Sequence, residues 1–150
     1  MAHTHNIIDK DTHFIINPTT RTIKNELSAK TSVAQYDHNS ERFTFEIPKE
    51  IEGHDMMSCD IEVHFINAAA NKTGESKGYY SCTDKKTDPN NSSIVIFSWL
   101  LSGAATKYAG ALNFVVKFKC KTDGKIDYVW NTAIYKGVSV TEGIDNSDVN

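Results

Sequence analysis

The chain has 150 residues, of which 39% are hydrophobic and 23% charged, and its formal net charge is -3. That length suits one domain burying roughly two thirds of its unfolded surface. The mildly acidic balance argues against an electrostatic partner such as nucleic acid or an anionic membrane. The start, MAHTHNIIDKDTHF, has no basic segment or long apolar run, and an apolar run of about eighteen residues occurs nowhere. Neither a secretory leader nor a spanning helix is therefore expected, and synthesis in a cytoplasm is. The three cysteines, Cys59, Cys82 and Cys120, are odd in number, widely spaced and without a C-x-x-C pair. They read as buried free thiols, not as a disulfide framework. Sequons at Asn71, Asn90 and Asn91 would matter only in a secreted eukaryotic protein.

In chain order, residues 1–13 hold His3, His5 and His13 among polar and charged residues with little periodicity, and read as an amino-terminal arm. Residues 14–150 are expected to form a single domain. Phe14-Ile15-Ile16, stopped by Asn17-Pro18, and the β-compatible residues 19–24 suggest a small leading hairpin. Residues 25–30 read as loop or weak helix, and 31–36 as a strand around Val33. After the turn formers Asp37 to Ser40, Phe43, Phe45 and Ile47 alternate with polar residues until Pro48 ends the ladder. Residues 49–57 read as a polar loop around Gly53. Cys59, Ile61, Val63 and Phe65 then alternate with Asp60, Glu62 and His64 as a second strand. Residues 68–78 read as a loop tip, 79–83 as a short strand and 84–91 as a long exposed turn. The run 93–101, SIVIFSWLL, is apolar on both sides, as in a strand buried on both faces or covered by a partner. A small-residue connection with room for one helical turn spans 102–110.

The stretch 111–137 is the clearest. Leu112, Phe114, Val116, Phe118 and Cys120 share one face of an extended chain, and Ile126, Tyr128, Trp130, Thr132 and Ile134 repeat the pattern after Asp123-Gly124. A two-residue loop would set the apolar face of one arm against the polar face of the other. A three-residue loop, Thr122 to Gly124, with a G1 bulge is therefore expected, placing Phe118 opposite Tyr128 and Val116 opposite Trp130. Such an apolar plate needs a second layer. A last strand is expected at 138–140, before a polar tail. The whole reads as all-β: an antiparallel β-sandwich of seven to nine strands with an extended amino-terminal arm, a small barrel being the second choice.

Chemistry is sparse. His3, His5 and His13 lack an acidic or cysteine partner at ligand spacing, so a solvated arm outweighs a metal site. Glu52, His54, Asp55 and His64 lie close in sequence, yet no nucleophile motif or phosphate loop accompanies them, and a polar turn network is the simpler account. Neither a catalytic residue nor a cofactor is assigned. The aromatics Trp99, Trp130, Tyr128 and Tyr135 fall in strand patterns and read as core. Tyr79, Tyr80 and Tyr108 are the better surface candidates for stacking on a sugar or covering a protein interface.

Residues 37–56, DHNSERFTFEIPKEIEGHDM, 58–67, SCDIEVHFIN, 94–120 and 128–147, with the leading HFIINPTTRTIKN at 13–25, resemble a family of structural proteins of tailed bacteriophages of Gram-positive hosts. Within it they are similar to the amino-terminal module of upper baseplate proteins. The resemblance implies a non-enzymatic virion subunit, made in the bacterial cytoplasm, whose β-structured module fixes a fibre or receptor-binding part to the particle. Other virion proteins and further copies of the chain are the implied partners. Family members usually continue into a coiled or fibrous region past the GIDNS segment, so the chain is expected to be either a module of something longer or a decoration subunit on a capsid or tail, with a carbohydrate-binding module for the host surface a third reading. Assembly contacts are expected at His5, Ile7, Ile8, Phe14, Arg21, Tyr79, Tyr80 and Tyr108, within residues 1–25, 68–91 and 102–110.

Overall fold

Alternation of apolar and polar side chains organises the chain into two facing sheets. The computed structural model describes residues 10–27, 31–67 and 77–144. In chain order the strands are β1 (Lys10–Ile16), β2 (Ile23–Asn25), β3 (Thr31–Ala34), β4 (Glu41–Pro48), β5 (Glu50–Ile51), β6 (His54–Asp55), β7 (Cys59–Asn67), β8 (Lys77–Ser81), β9 (Lys86–Asp88), β10 (Asn91–Leu100), β11 (Gly110–Thr122), β12 (Lys125–Asn131) and β13 (Tyr135–Thr141). The first sheet has the order β2-β1-β4-β10-β9 and the second β3-β13-β11-β7-β8, with β12 also paired to β11. A 3-10 turn, Met56–Ser58, follows the small β5-β6 ribbon, and a four-residue helix, α1 (Gly103–Thr106), lies between β10 and β11.

The all-β sandwich expected from the sequence is what forms, and nine of its strands have four residues or more. The sheets are mixed, however: β1 runs parallel to β4 and β3 parallel to β13. The chain crosses from the first sheet to the second between β2 and β3 and returns at β4, so strands near in sequence meet partners other than their hairpin neighbours. The leading hairpin is present, with Phe14 opposite Asn25 and Ile16 opposite Ile23. Its first strand begins at Lys10, inside the segment read as arm. The segment 49–57, read as a loop, carries the β5-β6 ribbon and the start of the 3-10 turn, which send Ile51 and Met56 into the core, and the segment 84–91, read as a turn, carries β9.

Phe114 is central to the interior. Its ring meets Phe14 at 6.0 Å, Phe43 at 6.0 Å, Phe45 at 5.8 Å, Trp99 at 5.3 Å and Tyr135 at 5.2 Å. Phe65 stacks on Trp99, and Phe97 meets Phe118 edge-on, closing the sandwich along its length. All these rings except Tyr135 are buried, as their inward parity in each strand requires.

Three sequence expectations are corrected. The β11-β12 hairpin uses a two-residue loop, with Asp123 and Gly124 both in the left-handed region (φ 53° and 80°) and Thr122 opposite Lys125. The phase that this loop would spoil is restored by a bulge that leaves Asp127 without an opposite residue, so Phe118 faces Trp130 and Cys120 faces Tyr128. Second, Ile126 and Ile134 lie off the apolar face, 50% and 58% exposed: the bulge turns Ile126 outward opposite Lys121, and at Ile134 β12 has ended and the chain is passing to β13. At that handover Thr132 N–H donates to Val116 O (3.0 Å) and Val116 N–H donates to Thr132 Oγ1 (2.9 Å), which lets β12 and β13 share one edge of β11. Third, Cys59 and Cys120 are opposite each other on β7 and β11, with Cα atoms 4.2 Å apart, and form a disulfide. Sequence spacing hid this, since strands 61 residues apart in sequence become neighbours only in the sheet. Cys82 is the buried free thiol expected of it, its ionisation pushed far up by burial and then by Asp84 and Glu62.

Candidate interaction surface

The outer face of the second sheet is built by the side chains that alternate away from the core. Register places Tyr79, His64 and Val115 in one row across β8, β7 and β11, and Lys77, Ile66 and Asn113 in the next. Ile134 completes an apolar group with Ile66 and Val115 around a shallow groove of about 200 Å³. Tyr79, 63% exposed, stacks on the His64 ring at 5.4 Å. Asn113 Oδ1, beside the groove, is buried without a hydrogen-bond partner. A stranded acceptor of this kind costs about 1–3 kcal/mol, so an incoming donor would be rewarded.

Charge rims this apolar group. Glu62 Oε1 lies 2.8 Å from His64 Nε2 and 3.0 Å from Lys119 Nζ, and Lys121 pairs with Asp60 at 3.3 Å. Burial alone would raise the Glu62 carboxyl, but hydrogen bonds from His64 and Lys119 outweigh it and leave the group below the usual carboxylate range. Lys77, Lys117, Lys119 and Lys121 face Asp60 and Glu62 here, so this face is basic although the chain is acidic overall.

The other polar clusters hold the fold together. Arg21, at φ 65°, lies with its guanidinium 4.9 Å from the Trp130 ring centroid and donates from Nη1 to Asn131 O at 3.1 Å. Ala133 N–H donates to Arg21 O at 2.9 Å, so the β1-β2 turn clasps the end of β12. On the same strand Tyr128 stacks on His54 at 3.6 Å and donates its hydroxyl to Glu52. Burial, then the Glu52 carboxylate, pushes the Tyr128 hydroxyl up to about 12. Of the four ionisable neighbours in sequence, the structure thus joins Glu52 and His54 around Tyr128. Asp55 instead pairs with Lys49 at 3.3 Å and caps the 3-10 turn, and His64 belongs to the outer face of the second sheet. An open cleft of about 730 Å³ beside the ribbon is lined by Pro48, Lys49, Glu50, Gly53, Asp55, Ser93 and Ile94. Among the described residues no three His, Cys, Asp or Glu are placed to hold a metal ion, and no helix is long and apolar enough to cross a membrane.

Of the residues expected to make assembly contacts, His5, Ile7 and Ile8 lie outside the described residues. Phe14 is 1% exposed and packs in the core, so its side chain offers no surface. Arg21 is engaged in the β12 clasp. Tyr79 stands on the outer face, while Tyr80, on the opposite side of β8, packs against the core. Tyr108 is half-buried, with its carbonyl accepting from Asn67 Nδ2 at 2.7 Å. Ile66, Val115 and Ile134 went unread in the sequence as surface residues. The available signal was that Ile66 and Val115 are aliphatic at outward positions of strands whose other outward residues are mostly polar or charged.

No family model matches the chain, and no curated protein matches it. Among solved structures the chain is similar to the N-terminal domain of phage TP901-1 ORF48, at 10% sequence identity and a TM-score of 0.49, over 89% of this chain and 97% of that one.

Proposed function

We propose that the chain is a non-enzymatic structural subunit of a tailed-phage virion, a β-sandwich module that fixes a fibre or receptor-binding part at the baseplate. The observation that carries this reading is where the phage-like wording falls. Residues 37–56, 58–67, 94–120 and 128–147 include β4, β7 and β13 and the larger part of β10, β11 and β12, strands that supply most of both facing sheets. The basic, apolar outer face of the second sheet supports it as a surface for neighbouring virion proteins or further copies of the chain.

Purified particles should contain the chain in stoichiometric amounts by mass spectrometry, and deleting residues 1–11 should reduce its incorporation. Exposed Tyr79, stacked on His64, favours one other reading, recognition of a host-surface glycan. A glycan array with the isolated domain separates the two. Tight, specific sugar binding that survives loss of residues 1–11 but not Tyr79→Ala, together with absence from particles, would replace the structural reading.

A further inference from the structure

The outer face of the first sheet has an apolar centre of its own. β4 turns Thr44, Glu46 and Pro48 outward, and β10 sets Ile96 opposite Glu46 and Ile94 opposite Pro48. Ile94 and Ile96 are only half-buried there, so the run 93–101 is apolar on both sides because its second side faces out of the sandwich. Exposed Ile15 flanks Glu46 on β1. The open cleft at Pro48 and Ile94 and a pocket of about 90 Å³ at Ile15, Thr44, Glu46 and Ile96 are therefore neighbours along the same two strands.

Carboxylates predominate around that centre. Among the described residues Glu26, Glu46, Glu50, Asp55, Asp84 and Asp88 stand against Lys24, Arg42, Lys49 and Lys86. Two of those cations are held in ion pairs of the same face, Arg42 with Asp84 at 3.9 Å and Lys49 with Asp55 at 3.3 Å. Burial first, then repulsion from Glu26 and Asp88, raises the Glu46 carboxyl, so an arriving ammonium would be favoured. The opposite side of the sandwich has the reverse balance. On β7, β8 and β11, Lys77, Lys117, Lys119 and Lys121 outnumber Asp60 and Glu62, beside the aliphatic group of Ile66, Val115 and Ile134. Each outer face thus has an aliphatic centre and an excess of two charges, of opposite sign. They lie on opposite sides of one molecule and can meet only between copies, while like faces brought together would repel. We infer that copies of the chain associate head-to-tail, the first-sheet outer face of one against the second-sheet outer face of the next, closing into a ring or continuing as an open stack. This deepens the reading of the second outer face as an assembly surface, yet it is tested on purified protein, so its failure would leave the presence of the chain in particles a separate question.

Sedimentation velocity of the full chain over a concentration series tests it. At low salt the weight-average mass should rise with concentration and pass that of a dimer, and at high salt it should fall back towards the monomer. Glu26→Lys combined with Glu50→Lys, and separately Lys77→Glu combined with Lys117→Glu, should each weaken association at least about tenfold. Mixed in equal amounts, the two variants should form pairs again, since each keeps the face that the other has lost. Amide NMR of the unsubstituted chain over the same series should shift Ile15, Glu46 and Ile96 together with Tyr79, Asn113 and Val115, which keeps the test open should a variant fail to fold. A chain that stays monomeric at low salt, a mixture of folded variants that does not pair, or shifts confined to one of the two faces, as in a symmetric dimer, would overturn the inference.

Discussion

Phe114 gathers five rings from both sheets around itself, so its removal leaves a cavity that no neighbour can fill by a simple rotamer change. Phe114→Ala should destabilise the domain by about 3–5 kcal/mol, read as a lower urea midpoint at unchanged slope. Two carboxylates make opposite contributions with pH. Glu62 is held below its ordinary value of 4.5, so it stabilises the fold above that range and loses this as pH falls through its lowered value. Glu46 is raised by burial, then by Glu26 and Asp88, so its ionised form costs stability at neutral pH and the cost disappears in acid. Glu62→Gln should therefore lower the melting temperature at neutral pH, and Glu46→Gln should raise it. Both differences should shrink towards zero well below pH 4.5. At this scale the buried residues were legible, because Phe43, Phe45, Phe114 and Phe118 alternate with polar neighbours. Val115 and Ile66 were not, since an aliphatic side chain at an outward position looks the same in sequence whether it is covered or exposed.

Between elements, the clasp on β12 and the link between β7 and β11 decide which strands are held firmly. β12 pairs only with the distal half of β11, and its end is secured by Arg21 through Trp130, Asn131 and Ala133. Arg21→Ala should speed amide exchange in β12 well before β4 or β7, as expected of an edge strand that has lost its anchor. The Cys59–Cys120 bond closes a loop over a sequence separation of 61. In the chain-entropy account such a loop is worth about 4 kcal/mol, so reduction, or Cys120→Ser, should lower unfolding stability by up to that amount while far-ultraviolet dichroism stays β-type. Strand existence was legible from alternation at 43–47, 59–65 and 112–120. The β11-β12 register was misread because a bulge at Asp127 can restore phase as well as a longer loop can, and local sequence does not distinguish the two. Nor could the cysteine pairing be read, because it depends on which strands become neighbours.

For the whole molecule, the two sheets bury one aromatic core, and the remaining surfaces differ in character. The parallel pairings β1/β4 and β3/β13 tie chain segments that are distant in sequence, which is why an antiparallel plan built from successive hairpins missed them. Rows of outward side chains on the second sheet make its outer face the broad apolar and basic surface on which contact with neighbours would be built. Ile66→Glu combined with Ile134→Glu should leave the fold intact, because both side chains are already at least 38% exposed, yet reduce incorporation into particles. The most direct measurement is cryo-electron microscopy of the purified virion. The account predicts repeated sandwich-shaped density at the baseplate into which the two sheets fit, with the outer face of the second sheet against a neighbouring subunit. Particles in which mass spectrometry finds no trace of the chain, and whose density holds no such sandwich, would contradict it.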